Sequence, residues 1–217
     1  MRFASSIAAL LLVVAVAGCS AATIDFDGVV GEGALTSETR DVETFHGLEA
    51  GGGIHVNVSI GQEQSVVLEA QRNILDILET EVTDGVLVIR ASDSYSATRQ
   101  VTATIVVAEL TALDLSGGAV GSVEGVMADA LAVEVSGGAR MSASGHVADL
   151  QLNASGGAEA DLAEVHVGAA DVEVSGGGRA YLTHAESVHG SASGGSTVFV
   201  GADTAVDVET SGGAHVE

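Results

Sequence analysis

Three histidines, His146, His166 and His184, each lie nine residues before a serine that opens a Ser-Gly-Gly triplet. Side chains at one phase of a repeat fall into one column once the repeats stack, and imidazoles about 4.8 Å apart could share a transition metal between neighbours or lose stability as they protonate together. A ladder of neutral rings on aligned turns is the plainer reading, because no cysteine or convergent carboxylate accompanies them. Carboxylates keep a phase of their own. Two residues before each Ser stand Asp114, Glu134, Asn153, Glu173, Ser191 and Glu209, with Asp171 and Asp207 four before theirs. Like charges one strand apart repel, and a divalent cation would relieve them, yet nothing in the pattern fixes six oxygen ligands at one point, so a solvated strand face accounts for them.

Catalysis finds less to work with. The chain has no lysine, the basic residues of its repeats are Arg140 and Arg179, and their rings are Tyr181 and Phe199. A polysaccharide lyase or hydrolase, the competing enzyme class, needs a base beside clustered carboxylates and aromatic platforms for the sugar. Each corner serine has the same neighbours and no His-Asp pair that singles it out as a nucleophile. A phosphate cradle would need a P-loop lysine. Calcium-binding nonapeptides would need an Asp at each corner, and only Gly156-Gly157-Ala158-Glu159-Ala160-Asp161 supplies one. The expectation is a chain that is not an enzyme and holds no cofactor, with a weak metal site on His146, His166 and His184 as the alternative.

The elements that must position these residues follow from the triplets: Ser116-Gly117-Gly118, Ser136-Gly137-Gly138, Ser155-Gly156-Gly157, Ser175-Gly176-Gly177, Ser193-Gly194-Gly195 and Ser211-Gly212-Gly213, at spacings of 20, 19, 20, 18 and 18 residues. Two glycines at a fixed phase imply a tight turn or a close backbone approach once per unit. Apolar residues one and three before the Ser, and small ones three and five after it, give two short strands that cannot bury themselves alone, so successive units must pair in parallel and stack. That is an all-β parallel β-helix of coils of about 18–20 residues with Ser-Gly-Gly corners, beginning near residue 110. Composition agrees, with 47% hydrophobic residues, 29 glycines, no proline and 3% aromatics.

Upstream, Ile54, Val56, Val58 and Ile60 alternate with polar residues, and Gly61-Gln62 reads as a turn into Val66-Val67-Leu68, a hairpin with one buried face. Asn73 to Glu79 has helical spacing with Asn73 as its cap. Asp84-Gly85 predicts a turn into Val86-Leu87-Val88-Ile89.

The start of the chain carries Arg2, an apolar run from Ala8 to Val16, and small residues, the pattern of a secretory signal too short to span a membrane. Val16-Ala17-Gly18-Cys19 resembles the lipobox of bacterial lipoproteins, which implies a signal peptide over 1–18 and diacylation of Cys19, the single cysteine, as a stable anchor. Ser20 after it is similar to lipoproteins sent to an outer membrane. Residues 19–39 then read as a flexible tether and 40–217 as the folded domain. A formal net charge of −23 excludes nucleic acid and anionic headgroups as partners, and leaves the acyl anchor as the contact with the membrane.

Leu48-Glu49-Ala50-Gly51-Gly52-Gly53-Ile54-His55-Val56, then Asn73-Ile74-Leu75 and Gly85-Val86-Leu87-Val88-Ile89, then the corners, occur in the order found in the bacterial putative auto-transporter adhesin, head GIN domain family, which the chain resembles from Phe45 to Glu217. The resemblance implies a right-handed β-helix at the cell envelope or surface. Family members usually carry Ser-Gly-Ser-Gly-Asp where this chain has Ser-Gly-Gly-Ala, so no role of that Asp carries over. The combined expectation is a lipid-anchored, non-enzymatic envelope protein with an adhesin-like or scaffold role toward an envelope protein or glycan.

Overall fold

The computed structural model describes residues 27–217; the expected signal peptide 1–18, the lipidation site Cys19 and residues 19–26 lie outside the described residues. In chain order the elements are β1 (Val29–Val30), β2 (Leu35–Arg40), β3 (Gly47–Ala50), β4 (His55–Ile60), β5 (Ser65–Gln71), α1 (Arg72–Leu75), β6 (Leu78–Thr83), β7 (Val86–Ala91), β8 (Tyr95–Ser96), β9 (Thr102–Val107), β10 (Ala112–Leu115), β11 (Val120–Val135), β12 (Arg140–Ala154), β13 (Glu159–Val174), β14 (Arg179–Leu182), β15 (Ala185–Ala192), β16 (Thr197–Val200), β17 (Ala205–Thr210) and β18 (His215–Val216).

Their period-2 alternation buries one side of every strand, and parallel pairing stacks the units into a β-helix. On the face that leads into the corners, β7, β3, β10 and the last segments of β11, β12 and β13 pair in parallel, followed by β15 and β17. On the face that leaves the corners, β9, β4, β11, β12, β13, β14, β16 and β18 do the same. The long strands bend at irregularities between Val123 and Val126 and between Ser142 and Ser144, which adds a short third face to each coil beyond the two that the sequence pattern suggested.

Buried columns fill the inside. Leu115, Val135, Ala154, Val174 and Ala192 stack behind the corners, and all are at most 1% exposed. The small side chains across from them make room for the large ones: a Cβ added at Gly121 would overlap the Leu115 side chain. Ser196 stands in the alanine column at a corner and is fully buried, its hydroxyl 2.8 Å from the Ser193 carbonyl oxygen and 3.0 Å from that of Val174, so its one proton always has an acceptor.

Each corner is a two-glycine turn. At Ser116-Gly117-Gly118-Ala119 both glycines have positive φ, 57° and 82°, and the Ala119 N–H donates to the Ser116 carbonyl at 3.0 Å, a type I′ arrangement. In three later coils, those of Gly156, Gly176 and Gly194, only the first glycine is left-handed, and in the last two of these the second N–H turns toward the preceding coil: Gly177 donates to Gly156 O and Gly195 to Gly176 O, both at 2.6 Å.

Several expectations need correction. The repeats begin at β3, not near residue 110: β3 and β4 flank Gly51-Gly52-Gly53 and pair in register with β10 and β11, so they form a coil of the same helix. Residues 61–111 are inserted between this coil and the next, and they close that end with antiparallel pairs of β5 with β9 and of β6 with β7. The expected hairpin of 54–60 with 66–68 does not form, because β9 lies between β4 and β5. The helix spans only Arg72–Leu75, its N-cap is Gln71, and Leu78 already begins a strand. Asn73 is occupied elsewhere: its amide donates to Val30 O at 2.7 Å and accepts from Glu32 N at 3.0 Å. Residues 29–39 of the expected tether are therefore part of the fold, with β1 beside β8 and β2 antiparallel to β5. The buried Gln71 seals this arm by donating to Gly33 O and accepting from Thr98.

Candidate functional site

The outward positions of the corner-entering strands align into one file. Strand register puts Glu49 beside Asp114, Asp114 beside Glu134, and then Asn153, Glu173, Ser191 and Glu209 in succession. Parallel pairing without stagger makes this unavoidable, since one phase of the repeat can occupy only one column. Three carboxylates are thus adjacent at one end, while Asn153 and Ser191 separate the acids further on. Glu49 escaped the sequence reading because Gly51 takes the place of the corner serine two residues later; counting Gly51-Gly52-Gly53 as a corner would have found it.

The file perturbs its own chemistry. The Asp114 carboxyl titrates above its ordinary 3.8, first because it is partly buried and then because Glu134 and Glu49 flank it. A carboxyl raised in the folded state binds its proton more tightly there than in the unfolded chain, so its contribution favours folding at acid pH and is lost as pH rises through and beyond the ordinary value. Replacement of Asp114 by Asn is accordingly expected to raise the melting temperature at pH 7 and to change it little near pH 3; melts at the two pH values check this, and equal effects at both would show that the flanking charges are not the cause.

Two adjoining depressions lie along this face. One of about 380 Å³ is lined by Glu49, Asp114, Glu134 and Asn153. The other, of about 790 Å³, is bordered by Glu109, Asp129, Asp149, Asp171 and His189 over apolar Leu131 and Leu150. Ala132 and Gln151 line both, and among the described residues no arginine lines either. The face beyond the corners is different: Arg140, Glu159 and Arg179 are neighbours in register, with Arg140 Nε 3.9 Å from Glu159 Oε2. Opposite charges there offset one another, and so exposed a pair is worth at most about 1 kcal/mol. Tyr181 and Phe199 stack on that same face with centroids 4.5 Å apart and planes 5° from parallel.

The third face carries the histidines. His146 and His166 are direct register partners with ring centroids 6.4 Å apart, and His184 follows at 5.2 Å from His166 in an edge-on arrangement. All three are exposed. His184 Nδ1 is 2.5 Å from the Ala163 carbonyl oxygen. The file continues on the other side to Met127, the register partner of His146 and 67% exposed. Met127 also lies nine residues before a corner serine, so the spacing that picked out the histidines contained it; its residue type hid it. Among the described residues no three His, Cys, Asp or Glu side chains converge on one point. The six serine corners form the opposite edge of the coil stack and bring no titratable side chain together. Cys19 lies outside the described residues.

Several solved structures resemble the chain in fold. A putative adhesin from Bacteroides fragilis superposes with a TM-score of 0.70 at 16% identity, over 87% of this chain and 99% of its own. A putative adhesin from Parabacteroides merdae gives 0.55 at 15%, over 87% and 98%. A putative lipid binding protein from Parabacteroides distasonis gives 0.50 at 16%, over 87% and 99%. At such identities these relations concern the fold. No curated protein matches the chain. The sequence profile of one family does match, from residue 44 to residue 217, and the chain therefore belongs to the family described as putative auto-transporter adhesin, head GIN domain.

Proposed function

We propose that this chain is a non-enzymatic, adhesin-like protein of the bacterial cell envelope, anchored through acyl chains on Cys19, whose β-helix presents its carboxylate-lined face to a cationic partner. The partner is a basic segment of an envelope protein or an amino-bearing glycan. The observation that carries this reading is the pair of adjoining depressions bordered by Glu49, Asp114, Glu134, Asp129, Asp149 and Asp171 and, among the described residues, by no arginine. A concave surface of one charge sign focuses its field and raises both the association rate and the selectivity for the opposite sign. Exposed Ala130 and Ala132 in the groove offer apolar contact area to the stem of a lysine, an arginine or a sugar ring. Family membership supports the surface role. The lipobox-like Val16-Ala17-Gly18-Cys19 supports the anchor, and Ser20 supports an outer membrane destination.

Calorimetry on the full chain carrying Cys19→Ser tests it, with decalysine and a glucosamine oligomer as cationic probes and their acetylated forms as neutral ones. Binding of a cationic probe, weakened about tenfold or more between 0.05 and 0.3 M salt, is expected, because surface charge attraction is screened over a Debye length of about 8 Å at physiological salt. The double replacement Asp149→Asn, Asp171→Asn is expected to weaken it further. Equal binding of charged and acetylated probes, or unchanged binding by the double variant, would overturn the acidic face as the docking surface, and release of shortened glycan would overturn the non-enzymatic role.

A further inference from the structure

The third face holds four metal-capable side chains in one file, Met127, His146, His166 and His184, on consecutive coils of the β-helix. From this geometry we infer a surface copper site, with Cu(II) bound between paired imidazoles of His146, His166 and His184 and the Met127 thioether closing the file on its soft side.

Four observations support the assignment. The first is distance. Two imidazoles that share one ion at about 2.0–2.1 Å from each nitrogen have ring centroids about 4.5–6.5 Å apart. The two pairs here, at 6.4 and 5.2 Å, both fall in that span. The second is the tautomer of His184. Its Nδ1 lies at hydrogen-bond distance from the Ala163 carbonyl oxygen, which only an N–H can satisfy, so the Nε2 lone pair is left for a metal. A histidine ligand is commonly oriented by such a bond from its other nitrogen. The third is Met127. A methionine that is 67% exposed contributes little to the core, and its register partner is an imidazole rather than another apolar side chain. Thioether sulfur prefers soft ions such as Cu(I), and imidazole is a ligand that copper also accepts. The fourth is the rigidity of the support. Each ligand sits one residue before a fully buried or half-buried apolar residue, Ala128, Val147, Val167 and Ala185, and the strand pairing fixes the spacing without any metal present. The absence of a convergent trio among the described His, Cys, Asp and Glu side chains restricts the site to two imidazoles per ion, with water completing the coordination. Copper(II) stands highest among the divalent first-row ions for a nitrogen site of this kind, so a two-imidazole site selects it over zinc or nickel without a dedicated cage.

The test uses the full chain carrying Cys19→Ser, so that no thiol competes. Titration with Cu(II) alone is followed by histidine-resolved NMR and by electron paramagnetic resonance. Broadening confined to His146, His166 and His184, with His46, His55, His189 and His215 unaffected, and nitrogen hyperfine splitting from two imidazoles are expected. His166→Ala interrupts both pairs and is expected to weaken Cu(II) about tenfold or more, as loss of one of two protein ligands requires. His189→Ala, on the acidic groove, is expected to leave it unchanged. Met127→Leu is expected to leave Cu(II) binding within about twofold and to weaken Cu(I) competition against a thioether chelator. Because the three rings are exposed, folding of the variants is expected to persist, and the NMR pattern of the unsubstituted chain decides the matter if one of them does not fold. Copper spread over all seven histidines, unchanged affinity in His166→Ala, or tighter binding of Zn(II) than of Cu(II) would overturn the assignment. None of these outcomes bears on the acidic face, whose probes contain no metal.

Discussion

Replacing Gly176 by alanine is expected to destabilise the domain by about 3 kcal/mol, whereas the same replacement at Gly118 costs about 1 kcal/mol. Both glycines have positive φ, 68° and 82°, so both substitutions incur the left-handed penalty of an L-residue. The difference is what the new Cβ meets. At Gly118 nothing lies within 4 Å, while at Gly176 the methyl would sit 2.9 Å from the Gly156 carbonyl oxygen and 3.2 Å from its nitrogen. The preceding corner would have to retreat, and the 2.6 Å hydrogen bond from Gly177 N–H to Gly156 O would stretch with it. Since each coil contacts only its neighbours, the strain stays between two corners instead of spreading along the stack. For a domain of this size the expected fall in melting temperature is about 6–12 °C for Gly176→Ala and about 2–4 °C for Gly118→Ala. Thermal melts followed by circular dichroism measure both, and an equal fall would mean that backbone conformation alone, not coil-to-coil contact, demands the glycine.

This distinction shows what the repeat made legible. The period of the Ser-Gly-Gly triplets contains the parallel stacking, the inward columns and the phase of the carboxylate and histidine files, because a fixed spacing in sequence becomes a fixed direction in a coil. It could not reveal the first coil, for Gly51 and Ser116 are separated by the inserted residues 61–111 and the period is broken there. Nor could local pattern show that Leu35–Arg40 is a strand: its residues are largely exposed, so no buried alternation marks it, and its partner Ser65–Gln71 is far along the chain. The helix from Arg72 fails to extend for a related reason. Ile77 and Leu78 continue its apolar spacing, yet Leu78 is drawn into the antiparallel pair with Ala91. Of the site residues, Met127 was within reach of the same phase argument that found the histidines, while Glu49 lies in the coil that the broken period conceals and comes into phase only when Gly51-Gly52-Gly53 is counted as a corner. The grooves were not, since Asp129 lies seven residues before its corner serine and Asp149 six before its own, so the phase argument does not put them in one column.

Packing between the columns yields the second large effect. Leu115 is fully buried behind the first Ser-Gly-Gly corner, and its side chain occupies the space that a Cβ on Gly121 would fill. Leu115→Ala is expected to cost about 3 kcal/mol, the transfer loss plus the cavity it leaves. Gly121→Ala alone is expected to cost about 1–3 kcal/mol, because the new methyl overlaps Leu115 in a stack that cannot widen without separating parallel strands on both sides. Gly121 has no positive φ, so the conformation itself accepts alanine. Combining the two changes removes the overlap and fills part of the cavity, and the double variant is expected to be more stable than the sum of the single effects by about 1–2 kcal/mol. Chemical denaturation of the four members of the cycle measures that term. A sum that is merely additive would show that Leu115 and Gly121 do not share one volume, and that the small column after each corner is set by the turn and not by the large residue facing it. The predicted sign of the coupling follows from the local packing: at this corner a bulky residue, Leu115, stands before the glycines and Gly121 after them, and a Cβ on Gly121 would fall on the Leu115 side chain.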